Sequence, residues 1–314
     1  MFSRRITFVS NTSSKWVYCV TFAGLCAIFL SEAIAGVEIM DDMGDVVALK
    51  KPAQRIVSLS PHLTELVFAV GGGSKLVGVM SFSDYPDAAK KIPRIGSHNT
   101  VNYEAIIKMQ PDLVLAWASG NGLEKINKLK YLGFSVYVSE PNKLEDVASS
   151  LRKIGLLLGE KTAGNREADS FLGRLIKLKK SYTKQSPISV FYQLSDEPMM
   201  TLSGRHIISD VISLCGGRNV FHEALPLVLK VSAESLIRSN PQVVIAGAEK
   251  NNQSRWLSRW KQRPPSMVVK NKHIYFIPPD LLARHTPRII DGAEMMCSFL
   301  SQVRNNKTKQ GANP

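Results

Sequence analysis

Residues 55–79 read RIVSLSPHLTELVFAVGGGSKLVGV, and the order of residue types in that stretch decides the architecture. "RIVSLS" is a short apolar run rich in branched residues, as expected of a strand buried on both faces. Ser60 and Pro61 open a helix, because Ser is a favoured cap and Pro at the first helical position loses no needed hydrogen bond. "HLTELVFAV" carries that helix and Gly71-Gly72-Gly73 stops it. "KLVGV" then supplies a second strand. Strand, helix and strand in that order imply a parallel sheet with covered faces, and so an α/β fold.

Working outward, the second half of the chain repeats the plan. "ISVFYQL" (188–194) reads as a strand, Ser203-Gly204 as a turn, "RHIISDVISLC" (205–215) as a helix, and Gly216-Gly217 as its stop. One phrase is also written twice, "NYEAIIKMQPDLVLA" at 102–116 and "SAESLIRSNPQVVIA" at 232–246, with Glu104 and Glu234 at matching places. In each copy a polar residue, Asn102 or Ser232, can cap a short amphipathic helix that ends before a Pro and an apolar strand. Two similar lobes follow from this, not a solenoid. Between them, Ala168, Phe171, Leu172, Leu175, Leu178 and Tyr182 keep helical spacing. They predict one stiff helix from about 160 to 184, ended by Pro187.

At the amino end, Arg4, Arg5 and Lys15 precede an apolar run from Trp16 to Leu30 and an Ala33-x-Ala35 cleavage pattern. That predicts an exported chain whose leader, residues 1–35, is removed after Ala35; the run is shorter than the roughly 20 apolar residues of a spanning helix. "EIMDDMGDVVAL" (38–49) reads as a hairpin turning near Met43-Gly44. The expected organisation is an N-terminal lobe over 36–159, a connecting helix over 160–185, a C-terminal lobe over 186–303 and a disordered polar tail over 304–314. Cys19 and Cys26 leave with the leader, so Cys215 and Cys297 are expected to pair in an oxidising compartment, the alternative being two free buried thiols. The formal charge of +14 falls only slightly when the leader goes. Its Lys and Arg are scattered, without aromatic interleaving or a reader motif, so the basic balance reads as solvated surface and not as a nucleic-acid site.

Several patterns point away from catalysis. "GGGSK" lacks the Gly-Lys-Ser/Thr ending of a phosphate loop. No nucleophile elbow and no recognised metal-ligand spacing occurs. Glu104 and Glu234 lie at separate helix starts, where a carboxylate gains about 0.3–1 kcal/mol from the helix dipole. Trp256 and Trp260, four apart in "RWLSRW", fit packing better than ligand contact. The chain is therefore expected not to be an enzyme.

"RIVSLSPHLTEL", "VGVMSFSDYP", "PDLVLAW", "LCGGRNVF" and "DLLARHTPRI" resemble, in order and over nearly the whole mature chain, the periplasmic substrate-binding proteins of ABC importers whose lobes are joined by one backbone helix. The resemblance implies two Rossmann-like lobes with mainly parallel sheets and a ligand crevice between them. "SFSDYP", "LAW" and the segment Asp280 to Arg284 are most similar to members that carry cobalamin, with haem or a ferric siderophore as the alternative cargo. It implies ligand contacts from Phe82, Trp117, Asp280, Leu281, Leu282, Ala283 and Arg284, and no resident cofactor. His98, Met200 and Val228 stand where cobalamin carriers show further aromatics; His98 is also a candidate ligand to the cargo's metal, joined near the crevice by His62, His206 and His285. The remaining implications are a periplasmic monomer, delivery to a dimeric inner-membrane permease, and one docking carboxylate per lobe, Glu104 and Glu234.

Overall fold

Alternating apolar runs and capped helices produce the expected layers. The computed structural model describes residues 36–97, 99–182, 184–262 and 273–311, with side chains up to residue 306. The leader predicted over 1–35, and His98, lie outside the described residues. Strands β1 (Val37–Met40) and β2 (Val46–Leu49) form the predicted antiparallel hairpin, with Gly44 at positive φ in its turn.

The first parallel sheet follows. It comprises β3 (Ile56–Ser58), β4 (Leu76–Val79), β5 (Leu113–Trp117) and β6 (Val136–Ser139), in spatial order β4-β3-β5-β6. Its helices are α1 (Pro61–Ala69), α2 (Tyr103–Met109), α3 (Ala118–Asn121), α4 (Leu123–Tyr131) and α5 (Leu144–Leu158). Ser60 precedes α1 as expected, but its hydroxyl does not cap the helix. It bonds instead to His62 Nδ1 at 2.6 Å, because that ring folds back within reach.

Helix α6 (Lys161–Tyr182) is the predicted connector, about 33 Å long. Ala168, Phe171 and Leu175 are buried along one stripe. It crosses α5 where Gly155 and Gly164 meet backbone to backbone: a Cβ on Gly164 would stand 2.7 Å from the Leu151 carbonyl oxygen.

The second sheet contains β7 (Ile188–Gln193), while β8 (Ser195–Asp196) and β9 (Met199–Leu202) make a small antiparallel sheet with a later strand. After α7 (Ile207–Leu214) come β10 (Gly217–Asn219), β11 (Val228–Lys230), α8 (Ala233–Ser239), β12 (Val243–Gly247), α9 (Lys250–Gln262) and β13 (Ile274–Ile277). The order β10-β7-β12-β13 reproduces the first sheet strand for strand, with every pair parallel. Both copies of the repeated phrase therefore deliver their strands, β5 and β12, to the same place in their sheets. A short helix, Pro279–Ala283, and a terminal helix, Ile289–Gly311, complete the chain.

One continuous core runs from the first sheet through α5 and α6 into α7 and the terminal helix. Cys215 and Cys297, both fully buried, are joined by a disulfide that ties the end of α7 to that helix. Closing a loop with a sequence separation of 82 removes roughly 4.5 kcal/mol of unfolded-chain entropy. The polar tail expected from residue 304 is instead helical to Gly311. Its residues tolerate a helix, and Arg304 anchors its start by donating to the carbonyls of Ser186, Cys215 and Gly216. Trp256 and Trp260 are buried, and the indole of Trp260 donates to Gln193 Oε1 at 2.7 Å. Among the described residues, no helix is long and apolar enough to cross a membrane.

Candidate functional site

Chemistry gathers at the strand ends of the first sheet, where parallel sheets present their loops. Leu59 to Pro61 after β3, Met80 to Phe82 after β4, and Trp117, Gly120 and Asn121 after β5 enclose a niche of about 150 Å³. Its volume has room for one edge or arm of a large ligand, not for a whole disc. A larger cavity of about 500 Å³ lies beside β2 and β6, lined by Asp45, Lys130 and Phe134. Its charged lining residues, Asp45 and Lys130, are already paired with each other and it presents one aromatic residue, whereas the niche sets Phe82 and Trp117 together at the strand ends, so the niche is the better site.

Two aromatic residues give the niche its character. Phe82 is 73% exposed, which for a large apolar side chain calls for a partner. Its φ of +65° is a left-handed conformation that costs a non-glycine residue about 1–2 kcal/mol. The backbone of Trp117, a half-buried residue, is held by Asn121, whose Oδ1 accepts from the Trp117 backbone amide at 2.7 Å while its Nδ2 donates to the Leu59 carbonyl at 2.9 Å. The Trp117 ring lies against Gly120, where an added Cβ would fall 1.9 Å from the indole. Sequence reading singled out neither Gly120 nor Asn121. The signal was there, a small residue and an amide just past an apolar strand, but it carries no meaning until the indole is placed.

Behind Trp117 sit three histidines. Ring centroids are 5.1 Å apart for His62 and Trp117, 5.2 Å for His62 and His285, 5.4 Å for Trp117 and His285, and 5.8 Å for His206 and His285. The three histidines lie close to one another, but His62 and His285 are closed off at 2% and 3% exposure. Burial, with the Arg284 charge adding to it, lowers His62 to about 3. Burial alone lowers His206 to about 4. Burial, then the charges of His62 and His206, push His285 well below the usual imidazole range. All three are neutral at pH 7. Among the described residues, no group of three or more His, Cys, Asp or Glu is arranged to hold a metal ion.

The segment after β13 behaves differently from its sequence reading. Leu282, expected at a ligand, is fully buried in the core, while Ala283 is exposed and Leu281 and Asp280 are partly so. Arg284, expected to donate to a ligand, is buried and already engaged. It meets Glu65 at 2.8 Å, Asp84 at 2.7 Å and Asp280 at 3.0 Å. Burial opposes its charge, but Asp84 and Glu65 outweigh it and hold the guanidinium protonated. The same seam raises Glu65, where burial outweighs two arginines, and lowers Asp84, where burial pushes upward but the Arg284 hydrogen bond and charge, a backbone hydrogen bond and the Lys90 charge together outweigh it. Met200 and Val228 are partly buried in the small antiparallel sheet, Met200 opposite Ser195 and Lys230, and Val228 opposite Leu202.

Glu104 and Glu234 are exposed at the starts of α2 and α8, away from this niche in sequence and lining. Asn102 and Ser232 cap their helices as predicted, accepting from the amides of Ala105 and Ser235 at 2.9 and 3.1 Å. Both helices end on a left-handed residue, Gln110 or Asn240.

Residues 56–281 match the Periplasmic binding protein family. The vitamin B12-binding protein of Vibrio cholerae is 36% identical over 79% of this chain and 90% of its own length. That of Yersinia pestis is 32% identical over 80% and 88%. The crystal structure of the periplasmic vitamin B12 binding protein of Vibrio cholerae superposes with a TM-score of 0.75 at 35% identity, covering 81% of this chain and 98% of that one. A periplasmic heme-binding protein from Roseiflexus shares the fold, with a TM-score of 0.71 at 21% identity over 80% and 99%. With its doubled parallel sheets, single connecting helix and strand-end niche, the chain belongs to the periplasmic binding protein family.

Proposed function

We propose that this protein is an exported carrier that binds cobalamin or a near corrinoid between its lobes and delivers it to an ABC permease. The observation that carries the ligand is the pairing of an exposed, strained Phe82 with a Trp117 whose backbone is held by Asn121 across one niche. A corrin is a wide, half-apolar disc with amide arms, and aromatic faces with a few polar groups suit it. The relatives named for vitamin B12 binding support the same cargo. Phe82 and Trp117 form one wall; Asp280, Leu281 and Ala283, with Met200, are assigned to the other, and His98 is kept as a candidate ligand contact.

Haem is the second reading, favoured by the histidine cluster. His62 and His285, however, are enclosed beneath Trp117 and present no nitrogen to a ligand in the crevice. The leader is cleaved after Ala35, the lobes span 36–159 and 186–303, and the mature monomer works in the periplasm. Glu104 and Glu234 are the permease contacts. The test is titration of purified residues 36–314 with cyanocobalamin, cobinamide and haemin, followed by visible spectrum and heat. A one-to-one corrinoid complex is expected; saturable haemin binding with none of either corrinoid overturns the reading in favour of haem.

A further inference from the structure

The loop over residues 81–86 presents Phe82 and is gripped from two sides. From its own half of the chain, Thr64 Oγ1 donates to Ser83 Oγ at 3.1 Å, Arg94 donates to the Ser83 carbonyl at 2.9 Å, and Ser81 bonds to the Gly96 carbonyl. From the other half, Arg284 meets Asp84 at 2.7 Å, and the Arg288 guanidinium lies 4.0 Å over the Tyr85 ring. Both arginines also reach Glu65 of α1, at 2.8 and 3.4 Å, and Glu65 is almost fully buried. Two bases and three carboxylates, counting Asp280, thus form one seam joining the segment after β13 to the loop after β4.

We propose that Arg284 and Arg288 are positioning residues that hold the 81–86 loop, and through it the left-handed Phe82, in a ligand-ready pose. A backbone in an unfavourable conformation persists only where its flanks over-determine it. Here two adjoining residues on the C-terminal flank, Asp84 and Tyr85, are fixed by side chains of the opposite half. The aromatic wall is thereby set by the approach of the two halves, and a mobile Phe82 is replaced by a fixed one. Pre-organisation of this kind favours a rigid, wide ligand over a flexible one, because less ordering remains to be done on binding.

For its effect on ligand, the inference rests on the corrinoid reading; for its effect on the loop, it does not. Removing Arg284 would strand the buried Glu65, so the test uses Asp84→Asn and Arg288→Gln, which leave the Arg284–Glu65 pair in place. In ligand-free protein, hydrogen–deuterium exchange over 81–86 is expected to speed up at least fivefold in each variant, with exchange in α5 and α6 unchanged. Cyanocobalamin affinity is expected to fall about tenfold in each, and by no further amount when Phe82→Ala is already present. Unchanged exchange overturns the tie. Faster exchange with undiminished affinity, or losses that add fully to that of Phe82→Ala, overturns the positioning role. A wild-type protein that binds no corrinoid removes the ligand reading, while the exchange measurement still decides the tie.

Discussion

At Gly120 a single methyl group has a large geometric consequence. Alanine there would gain up to about 1 kcal/mol of helix propensity in α3, but its Cβ would overlap the Trp117 ring at 1.9 Å. The ring must move, and with it one wall of the niche. Gly120→Ala is therefore expected to change folding stability by no more than about 1–2 kcal/mol while weakening cyanocobalamin binding at least tenfold, with altered tryptophan emission. Undiminished binding would show that the indole is not a ligand wall. The histidines behind it make a second prediction. Each binds its proton near the ordinary imidazole value of 6.5 when unfolded, but His62 only near 3 and His206 near 4 when folded. Stability is therefore fully present above pH 6.5 and drains away as pH falls from there towards 4. For the enclosed His62 and His285 the slope is at most about 1.4 kcal/mol per pH unit each. The raised Glu65 acts oppositely, near and above the ordinary carboxyl value of 4.5, and Asp84, held low, adds to the acid loss only below its ordinary value of 3.8. Thermal melts from pH 7.5 to 4.5 should show this slope, and His285→Phe should flatten it; a melting temperature constant between pH 7 and 5 refutes the account. Phe82 and Trp117, which line the niche, were singled out through the family resemblance, and the histidines from their places at element ends. The partners of Arg284 were not, because Glu65 and Asp84 stand 219 and 200 positions away, and no local pattern encodes such a meeting.

Periodicity locates the elements wherever local signals agree with tertiary contacts. The strands at 56–58, 76–79 and 188–193, the connector and the two capped repeat helices all formed where apolar runs and caps placed them. Ser60 failed as a cap because a local competitor two residues on, His62, took its hydroxyl, and the terminal helix outran its apolar face because Arg304 pins it to the α7 end. Helix α6 offers a test of context at this scale, since it contains two glycines in opposite settings. Gly173 has open space around its missing side chain, so Gly173→Ala is expected to stabilise the protein by up to about 1 kcal/mol. Gly164 faces the Leu151 carbonyl and Gly155, so the same change must push α5 and α6 apart, at a cost of about 1–3 kcal/mol that exceeds the propensity gain. Denaturant unfolding of the two variants should move the midpoint in opposite directions. Equal shifts of one sign would mean that the close helix crossing does not govern this pair.

At the scale of the whole molecule, the repeated phrase predicted two like halves, and the matched sheet orders bear this out. The duplication extends to the surface. In each copy the capped helix exposes a glutamate, an isoleucine one turn on, Ile107 or Ile237, and a base beside it, Lys108 or Arg238, around one buried residue, Ile106 or Leu236. Compensation of the helix dipole accounts for each glutamate alone, at about 0.3–1 kcal/mol. It does not account for both halves placing one at the same point of the same surface. A carrier with one such surface per lobe suits a partner with two-fold symmetry, and carboxylate to guanidinium is a directional pair. Glu234 is already paired with Arg238 at 3.1 Å, but both side chains are over 70% exposed, so that pair is weak and open to exchange. The shared core through α5, α6 and α7 holds the halves together, so the two glutamates would meet any common partner as parts of one body. Glu104→Ala combined with Glu234→Ala is therefore expected to leave corrinoid affinity within twofold. Uptake through the reconstituted permease should fall at least tenfold, mainly through faster dissociation of the docked carrier. Uptake that persists in the double variant, or affinity that falls in step with uptake, returns the two glutamates to their helix dipoles.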